Sequence, residues 1–418
     1  MTVTDTPAGL RIALVSMHTS PLDNPGSGDA GGMNVYLEAV SRHLVAEGLE
    51  IDLLTRRTAP DQPDSVLLPS GARLRYLAAG PPDTVPKSAL RHFVDEFSQN
   101  VADLGHYDVV HSHYWLSGVA GLAVAEASGA PHVLNLHTVA AMKNAALAPG
   151  DAPEPPLRLN WERDLVRASA LIVAATAAEA DSIHRDYGAA DDRIAVIPPG
   201  VDREIFRPDG AAPNWSSELP GLADGARRAI EHGGYLMMGA RTQPLKGHDL
   251  AVRALAALPA DRLLVLVGDV SPGQDAFRAE LDRLIGQLGL ADRVVFLPAQ
   301  PRKRLADLLR GAALLLGPSH SETFGLITLE AAACGTPTIA SKVNGLAEAV
   351  GDGVSGVLVP SFDPQVWAAV ISELLADPQR LAALSASAQH YASRFDWAAV
   401  AGRLAGHYRR LAASRGER

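Results

Sequence analysis

The sequence predicts two doubly wound α/β domains in tandem. Three observations carry this. Short apolar runs alternate with helical stretches along the whole chain, the pattern of parallel strands covered by helices on both faces. A Pro-rich exit, PPGVDREIFRP at 198–208, interrupts the series and reads as an interdomain hinge. At 418 residues the chain is also too long for one ordinary core.

The first series opens with RIALVSM at 11–17, a strand, followed by the Gly-, Pro- and Asp-rich loop 18–32 and a helix starting near Met33. Strands are expected at 51–57, 73–77, 108–111, 132–136, 170–175 and 194–197, and helices at 87–104, 117–128, 157–168 and 177–187. Residues 209–232 read as a variable loop plus a short helix. The second series has strands at 235–240, 262–268, 293–298, 313–319, 337–341 and 356–360. Its helices fall at 247–258, 275–288, 301–310 and 345–350, and the tail has helices near 364–376, 378–393 and 397–413. The domains are placed at 1–205 and 206–396.

Composition narrows the function. Hydrophobic residues at 47% with 20% charged is the make-up of a soluble globular protein. A net charge of −10 argues against coating a polyanion such as nucleic acid, but permits a local basic pocket. The single cysteine, Cys334, excludes an intramolecular disulfide and fits a reducing cytoplasm. No signal peptide and no membrane span are expected.

The second series is organised around PSHSETFGLITLEAAACGTPT at 318–338. The loop Glu322-Thr323-Phe324-Gly325 runs into an apolar helix, which is expected to start near Phe324 and carries Glu330. Backbone N–H groups at such a start, with the positive end of the helix dipole, cradle an anion. Glu330 would then lie about 9–12 Å along at 1.5 Å per residue. Two carboxylates so separated suit hydroxyls at opposite ends of one long ligand, with a diphosphate between them. A sugar nucleotide has that layout.

Arg241 and Lys246, in GARTQPLKG, stand just past a strand, where open parallel sheets bind ligands. Arginine grips phosphate in a fork and lysine adds a point charge, so the pair could neutralise a diphosphate leaving group. Gly26-Ser-Gly28-Asp-Ala-Gly31 matches a dinucleotide fingerprint literally, but follows its strand by eight residues. It reads better as a loop presenting Gly31, Gly32 and Asn34 at a helix N-terminus. A dehydrogenase reading rests on that misplaced loop alone. His111 and His113 share one face of a strand, but neither a cysteine nor a nearby carboxylate completes a metal set, and no D-x-D motif occurs. No metal and no cofactor are therefore expected. His137, in LNLHT, ends a strand at the cleft. Trp115, Tyr114 and Trp161 read as core, Cys334 as a buried helix residue, and Glu348 and Asp352 as solvated.

These pieces resemble the family 4 retaining glycosyltransferases of GT-B fold, nearly from end to end. The motifs are SETFGLITLE with its Glu322–Glu330 pair, RTQPLKG with Arg241 and Lys246, and CGTPTIAS. SMHTSPL, GDAGGMNVY, HSHYWLSG and LHTVAAMKN are similar to the mycothiol-pathway branch of that family. The resemblance implies transfer of N-acetylglucosamine from UDP-GlcNAc to 1L-myo-inositol 1-phosphate. It implies a cytoplasmic enzyme without metal, whose relatives are often homodimers. Domain 1–205 would bind the acceptor and 206–396 the nucleotide sugar, with the helix at about 397–418 packing back on the first domain.

The resemblance also implies roles. Gly32 would offer its N–H to the donor diphosphate, held by Arg241 and Lys246. Glu322 would hold the donor sugar with Thr323, Phe324, Gly325 and Leu326, Glu330 the ribose, and Gln300 would lie at the base. His137 would sit beside the reacting sugar. Lys87, Tyr114, Thr138 and Arg158 would hold the acceptor phosphate, and Asn34 would touch its ring. Arg241, Lys246, Glu322 and His137 would carry the catalysis. The chain departs from the family pattern at Ala240-Arg241, Asn344-Gly345-Leu346 and LPAQPRKR, all in the donor half. That leaves open a paralogue in antibiotic biosynthesis, joining a GDP-activated sugar to a small thiol such as ergothioneine. It also leaves open a regulator that binds a sugar nucleotide without chemistry.

Overall fold

The computed structural model describes residues 9–213, 215, 230 and 234–415. Most of the stretch read as a variable loop, 209–232, lies outside the described residues. No helix among the described residues is long and apolar enough to cross a membrane.

The first lobe is built on an eight-stranded sheet of order β3-β4-β2-β1-β5-β6-β7-β8. Its strands are β1 Arg11–Val15, β2 Glu50–Arg56, β3 Ser65–Leu67, β4 Arg73–Leu77, β5 Val109–His113, β6 His132–Asn135, β7 Leu171–Ala174 and β8 Ile194–Val196. All pairs are parallel except the β3–β4 edge. Ile12, Ala13, Leu14 and Val15 are fully buried, because helices cover both faces and a central strand must be apolar throughout. The second lobe has β9 Tyr235–Gly239, β10 Leu264–Val267, β11 Val294–Leu297, β12 Ala312–Gly317, β13 Thr338–Ser341 and β14 Gly356–Val359. Their order is β11-β10-β9-β12-β13-β14, all parallel. Within the lobe this is the 3-2-1-4-5-6 winding, which reverses direction between β9 and β12 and opens a crevice at their carboxyl ends. In the first lobe the reversal falls between β1 and β5.

The chain crosses between lobes twice, and the crossings run side by side. Val201 donates to the Phe395 carbonyl at 3.1 Å. The last helix, Trp397–Arg415, then packs on the first, Gly32–Ala46. Trp397, Val400, Leu404 and Tyr408 share a core with Tyr36, Leu37, Val40 and Leu44.

Four local expectations need correction. The edge strand β3 was not anticipated; it is short and folds back on β4. The helix Ala140–Ala145 was also missed. The 87–104 helix divides into a 3-10 segment, Lys87–Phe93, and an α-helix, Val94–Ala102. The helix of the organising stretch starts at Leu326, not near Phe324, because Gly325 adopts φ +94° and breaks the helical path. Glu330 is thus about one turn in, about 6 Å along the axis.

Candidate active site

A cleft with a cavity volume of about 230 Å³ lies between the lobes at both reversal points. One wall is Pro25, Gly26 and Ala30 to Gly32; the facing wall includes Arg241, Lys246, Glu322, Gly325, Leu326 and Glu330. The carboxyl ends of β9 and β12 deliver Arg241 and the 318–325 loop to this wall, as the winding requires.

Two helix N-termini face each other here. A Cβ on Gly32 would stand 3.3 Å from Leu326 Cδ1, so the amino ends of Gly32–Ala46 and Leu326–Ala333 meet across the gap. Both positive dipole ends point into one space, which favours an anion there. Close approach of the second helix to its sheet depends on Gly239, where a Cβ would lie 2.1 Å from Ile327 Cδ1.

The predicted donor residues converge on this wall. Lys246 Nζ lies 2.5 Å from Glu322 Oε2. Arg241 reaches across the cleft and donates to the Gly28 carbonyl at 2.9 Å, with Asp29 at 4.0 Å. Burial lowers its pKa, without removing its charge near neutrality. Phe324 is buried beneath the loop, and Gln300 lines the far end and donates to the Pro298 carbonyl. The Thr323 carbonyl accepts from Thr176 Oγ1 of the first lobe at 3.4 Å. Glu330 is only 7% exposed, and burial raises its carboxyl pKa although Arg302 stands 3.3 Å away.

The predicted acceptor residues also gather, around Tyr114. Lys87 Nζ lies 4.3 Å and Arg158 Cζ 4.9 Å from the centre of its ring. Arg158 donates to Thr138 Oγ1 at 2.9 Å. Its Nε is held by Glu162 at 2.6 Å and Nη1 pairs with Glu154 at 3.0 Å, so all three nitrogens already have partners. Lys87 pairs with Asp29 at 3.7 Å. Asn34 is different: its amide donates to Thr19 Oγ1 and the Ser20 carbonyl and accepts from the Gly31 N–H. At 1% exposure it ties the 18–32 loop to the helix start and offers no free polar atom to a ligand here.

Among the described residues, the only positive-φ residues other than glycine are Tyr114 (+76°), His137 (+56°) and Asn344 (+35°). Tyr114 follows β5, His137 follows the end of β6, and Asn344 precedes the cleft-lining Leu346. Strained backbone of this kind persists only where its surroundings over-determine it, a condition typical of functional sites. Asn135, at the end of β6, supplies much of the restraint. Its carbonyl accepts from the Tyr114 N–H at 2.8 Å and its side-chain oxygen from the His137 N–H at 3.1 Å. Asn344 donates to Ser321 Oγ at 2.9 Å, and asparagine tolerates this backbone region better than most side chains.

His137 Nε2 and His113 Nδ1 lie 2.9 Å apart, and His111 Nδ1 is 2.6 Å from Tyr408 OH on the last helix. Burial pushes His137 down to about 3 and His113 well below its ordinary value, so both rings are neutral near pH 7. The H-x-H pair is therefore engaged with a histidine and a tyrosine.

Sequence reasoning missed several members. Asp29 bridges Lys87 and Arg241, Arg302 pairs with Glu330, and the His18 ring packs tilted against Tyr114 with centres 4.6 Å apart. His18 lies in SMHTSPL, a stretch that had signalled the site without assigning the residue. Glu348, read as solvated, accepts from the Ala177 and Ala178 N–H groups at 2.9 Å each and caps a first-lobe helix from the second lobe. Asp352 accepts from the Leu358 N–H at 3.0 Å and closes a turn. Tyr114, expected both as core and at the acceptor site, is buried in a core cluster and carries Lys87 and Arg158 over its ring, whereas Trp115 and Trp161 pack on each other at 5.1 Å. Cys334 is buried as expected, and burial pushes its thiol up to about 12.

Two doubly wound lobes facing one cleft define the GT-B class of glycosyltransferase folds. The match to solved structures agrees. Sucrose-phosphate synthase from Thermosynechococcus elongatus superposes with a TM-score of 0.87 at 28% identity, over 97% of this chain and 100% of that one. Anabaena HepE, in complex with UDP and glucose, gives 0.75 at 21% identity over 95% and 99%, and shows the fold alone. The model for "Glycosyl transferase 4-like domain" matches residues 31–200, and that for "Glycosyl transferases group 1" matches 227–391. D-inositol 3-phosphate glycosyltransferase of Thermobispora bispora is 44% identical over 412 residues, covering 95% of this chain and 94% of its own. The same-named protein of Xylanimonas cellulosilytica is 45% identical over 395 residues, covering 93% and 94%. The chain belongs to the group 1, family 4-like glycosyltransferases, and it is a glycosyltransferase enzyme.

Proposed function

We propose that the chain is a retaining, metal-independent glycosyltransferase moving N-acetylglucosamine from UDP-GlcNAc to an inositol phosphate. The observation that carries this is the meeting of two helix N-termini with Arg241 and Lys246, together with the Lys87–Tyr114–Thr138–Arg158 cluster, which Asp29 links to Arg241. The first arrangement suits a diphosphate and the second a phosphorylated acceptor. The names of the relatives support the acceptor.

Among the described residues, the two carboxylates lining the cleft, Glu322 and Glu330, are engaged by Lys246 and Arg302, which favours front-face attack. The acceptor hydroxyl oxygen bonds to the anomeric carbon as the bond from that carbon to the phosphate oxygen breaks. The hydroxyl proton passes to the departing phosphate oxygen, so no protein base is consumed. Arg241, Lys246 and the helix ends stabilise the charge growing on the leaving group, and Glu322 holds the sugar hydroxyls. Neutral His137 can accept or donate one hydrogen bond at the reacting sugar without adding charge. Closure of the lobes would bring donor and acceptor together.

The test is nucleotide release with UDP-GlcNAc, GDP- and ADP-sugars, each with inositol 1-phosphate, inositol or ergothioneine. UDP release that requires inositol phosphate supports the reading. GDP release with ergothioneine would instead establish the thiol-glycosylating alternative, and binding without turnover a regulator.

A further inference from the structure

We infer that Arg302 is a positioning residue for the nucleotide end of the cleft, fixing the Glu330 carboxylate in place to accept the donor's ribose hydroxyls. This rests on the donor-site reading above. Glu330 lines the cleft at 7% exposure, and Arg302 Nη1 stands 3.3 Å from its Oε1. Arg302 opens the helix Arg302–Gly311 directly after Pro301, close to Gln300 at the far end of the cleft. Its guanidinium lies 5.0 Å from the ring centre of Phe206, a fully buried residue of the hinge segment. The arginine is therefore held from below by the hinge and faces Glu330 from the side.

The charged groups acting on Glu330 are Arg302, from the neighbouring helix, and Asp202, from the hinge; the Cys334 thiol lies one turn along its own helix. Burial favours the protonated acid, Asp202 adds to that, and Arg302 opposes both. A protonated Glu330 would lose acceptor capacity and present a hydroxyl where the ribose needs an oxygen. Asp202 is itself tied to Arg42 of the first lobe at 3.3 Å, so it is not free to turn away. Without Arg302, Glu330 would be a buried acid beside a second carboxylate, with its protonated form favoured further and its charge more sensitive to pH.

The experiment is isothermal titration of UDP and GDP into wild type, Arg302→Met, Arg302→Lys and Glu330→Gln between pH 6 and 8.5. The ratio of variant to wild-type Kd at each pH cancels the titration of the nucleotide's own phosphate. Arg302→Met is expected to bind about tenfold more weakly at pH 6 and to recover most of that by pH 8.5, about 1.4 kcal/mol of pH-linked affinity. Arg302→Lys should restore most of the affinity, and Glu330→Gln should bind weakly with a ratio independent of pH. Thermal unfolding of each variant separates this from loss of fold, because a merely structural role would not make the ratio depend on pH. A wild type that binds no nucleoside diphosphate would overturn the donor-site reading and this inference with it. A wild type that binds, with an Arg302→Met ratio flat across pH, would overturn this inference alone.

Discussion

The ammonium of Lys246 and the carboxylate of Glu322 form an ion pair at 2.5 Å, although 76 residues separate them in the chain. Each neutralises the other's charge in this structure. A nucleotide sugar would divide them, the lysine turning to the diphosphate and the glutamate to the sugar hydroxyls. Lys246→Ala is expected to lower kcat by about 10²–10³ with an unchanged melting temperature. Steady-state kinetics beside thermal unfolding checks this, and turnover within a few-fold of wild type would remove Lys246 from the mechanism.

Gly345 is required by close approach. Its φ is an ordinary −66°, but a Cβ would lie 1.9 Å from the Thr323 carbonyl oxygen. The Gly345 N–H also holds the Glu322 carbonyl at 2.9 Å, so this glycine sets the floor of the sugar-binding loop. Gly345→Ala should force the loop outward, costing about 1–3 kcal/mol of stability. The donor KM should rise more than the acceptor KM, and equal rises in both would contradict the assignment.

Glu348 joins the lobes by capping the helix Ala177–Tyr187. Its exposure limits its worth to about 0.5–1 kcal/mol. Glu348→Ala should lower stability by that amount in urea unfolding and change the small-angle scattering profile of the empty enzyme if the cap restrains the lobes. Unaltered stability and scattering would reduce the contact to an incidental one.

Acid should destabilise this protein early. Burial holds His132 and His137 down to about 3, His248 to about 4, and His18, His111 and His113 well below the ordinary value. These folded values lie below the unfolded value of about 6.5, so below that pH the unfolded chain binds more protons. The contribution is complete above about 6.5 and is lost as pH falls toward 3–4. Glu179, which burial raises to about 7, acts with the opposite sign between its unfolded value of 4.5 and 7, and burial raises Glu330 and Asp151 in the same sense, but these three carboxyls stand against six histidines. Melting temperature should fall between pH 6.5 and 5, and kcat in that range should show no titration of His137. A stability that rises on acidification would contradict the neutral histidine cluster.

Much of the architecture was legible in the sequence because it is local. Apolar runs such as IALV and LVLV, bounded by turn residues and alternating with helices, fit central strands of parallel sheets. Glu322, Glu330, Arg241 and Lys246 stood out because each follows the carboxyl end of a strand, where such sheets open. Boundaries were read less well. The helix after Gly325 starts two residues later than expected because the left-handed backbone of that glycine is invisible to periodicity.

What the chain alone determined is the class of each element and the chemical type of the cleft walls. What only the tertiary structure decided is which charge meets which. Asp29 with Lys87 and Arg241, Arg302 with Glu330, and Glu348 with the helix at Ala177 are all pairings between distant segments. Coulomb energy and desolvation depend on separation in space, and no local pattern in the chain encodes that separation. The same reason explains Asn34, which resembled a ligand contact in the sequence. In the folded protein it spends its amide on Thr19, Ser20 and Gly31.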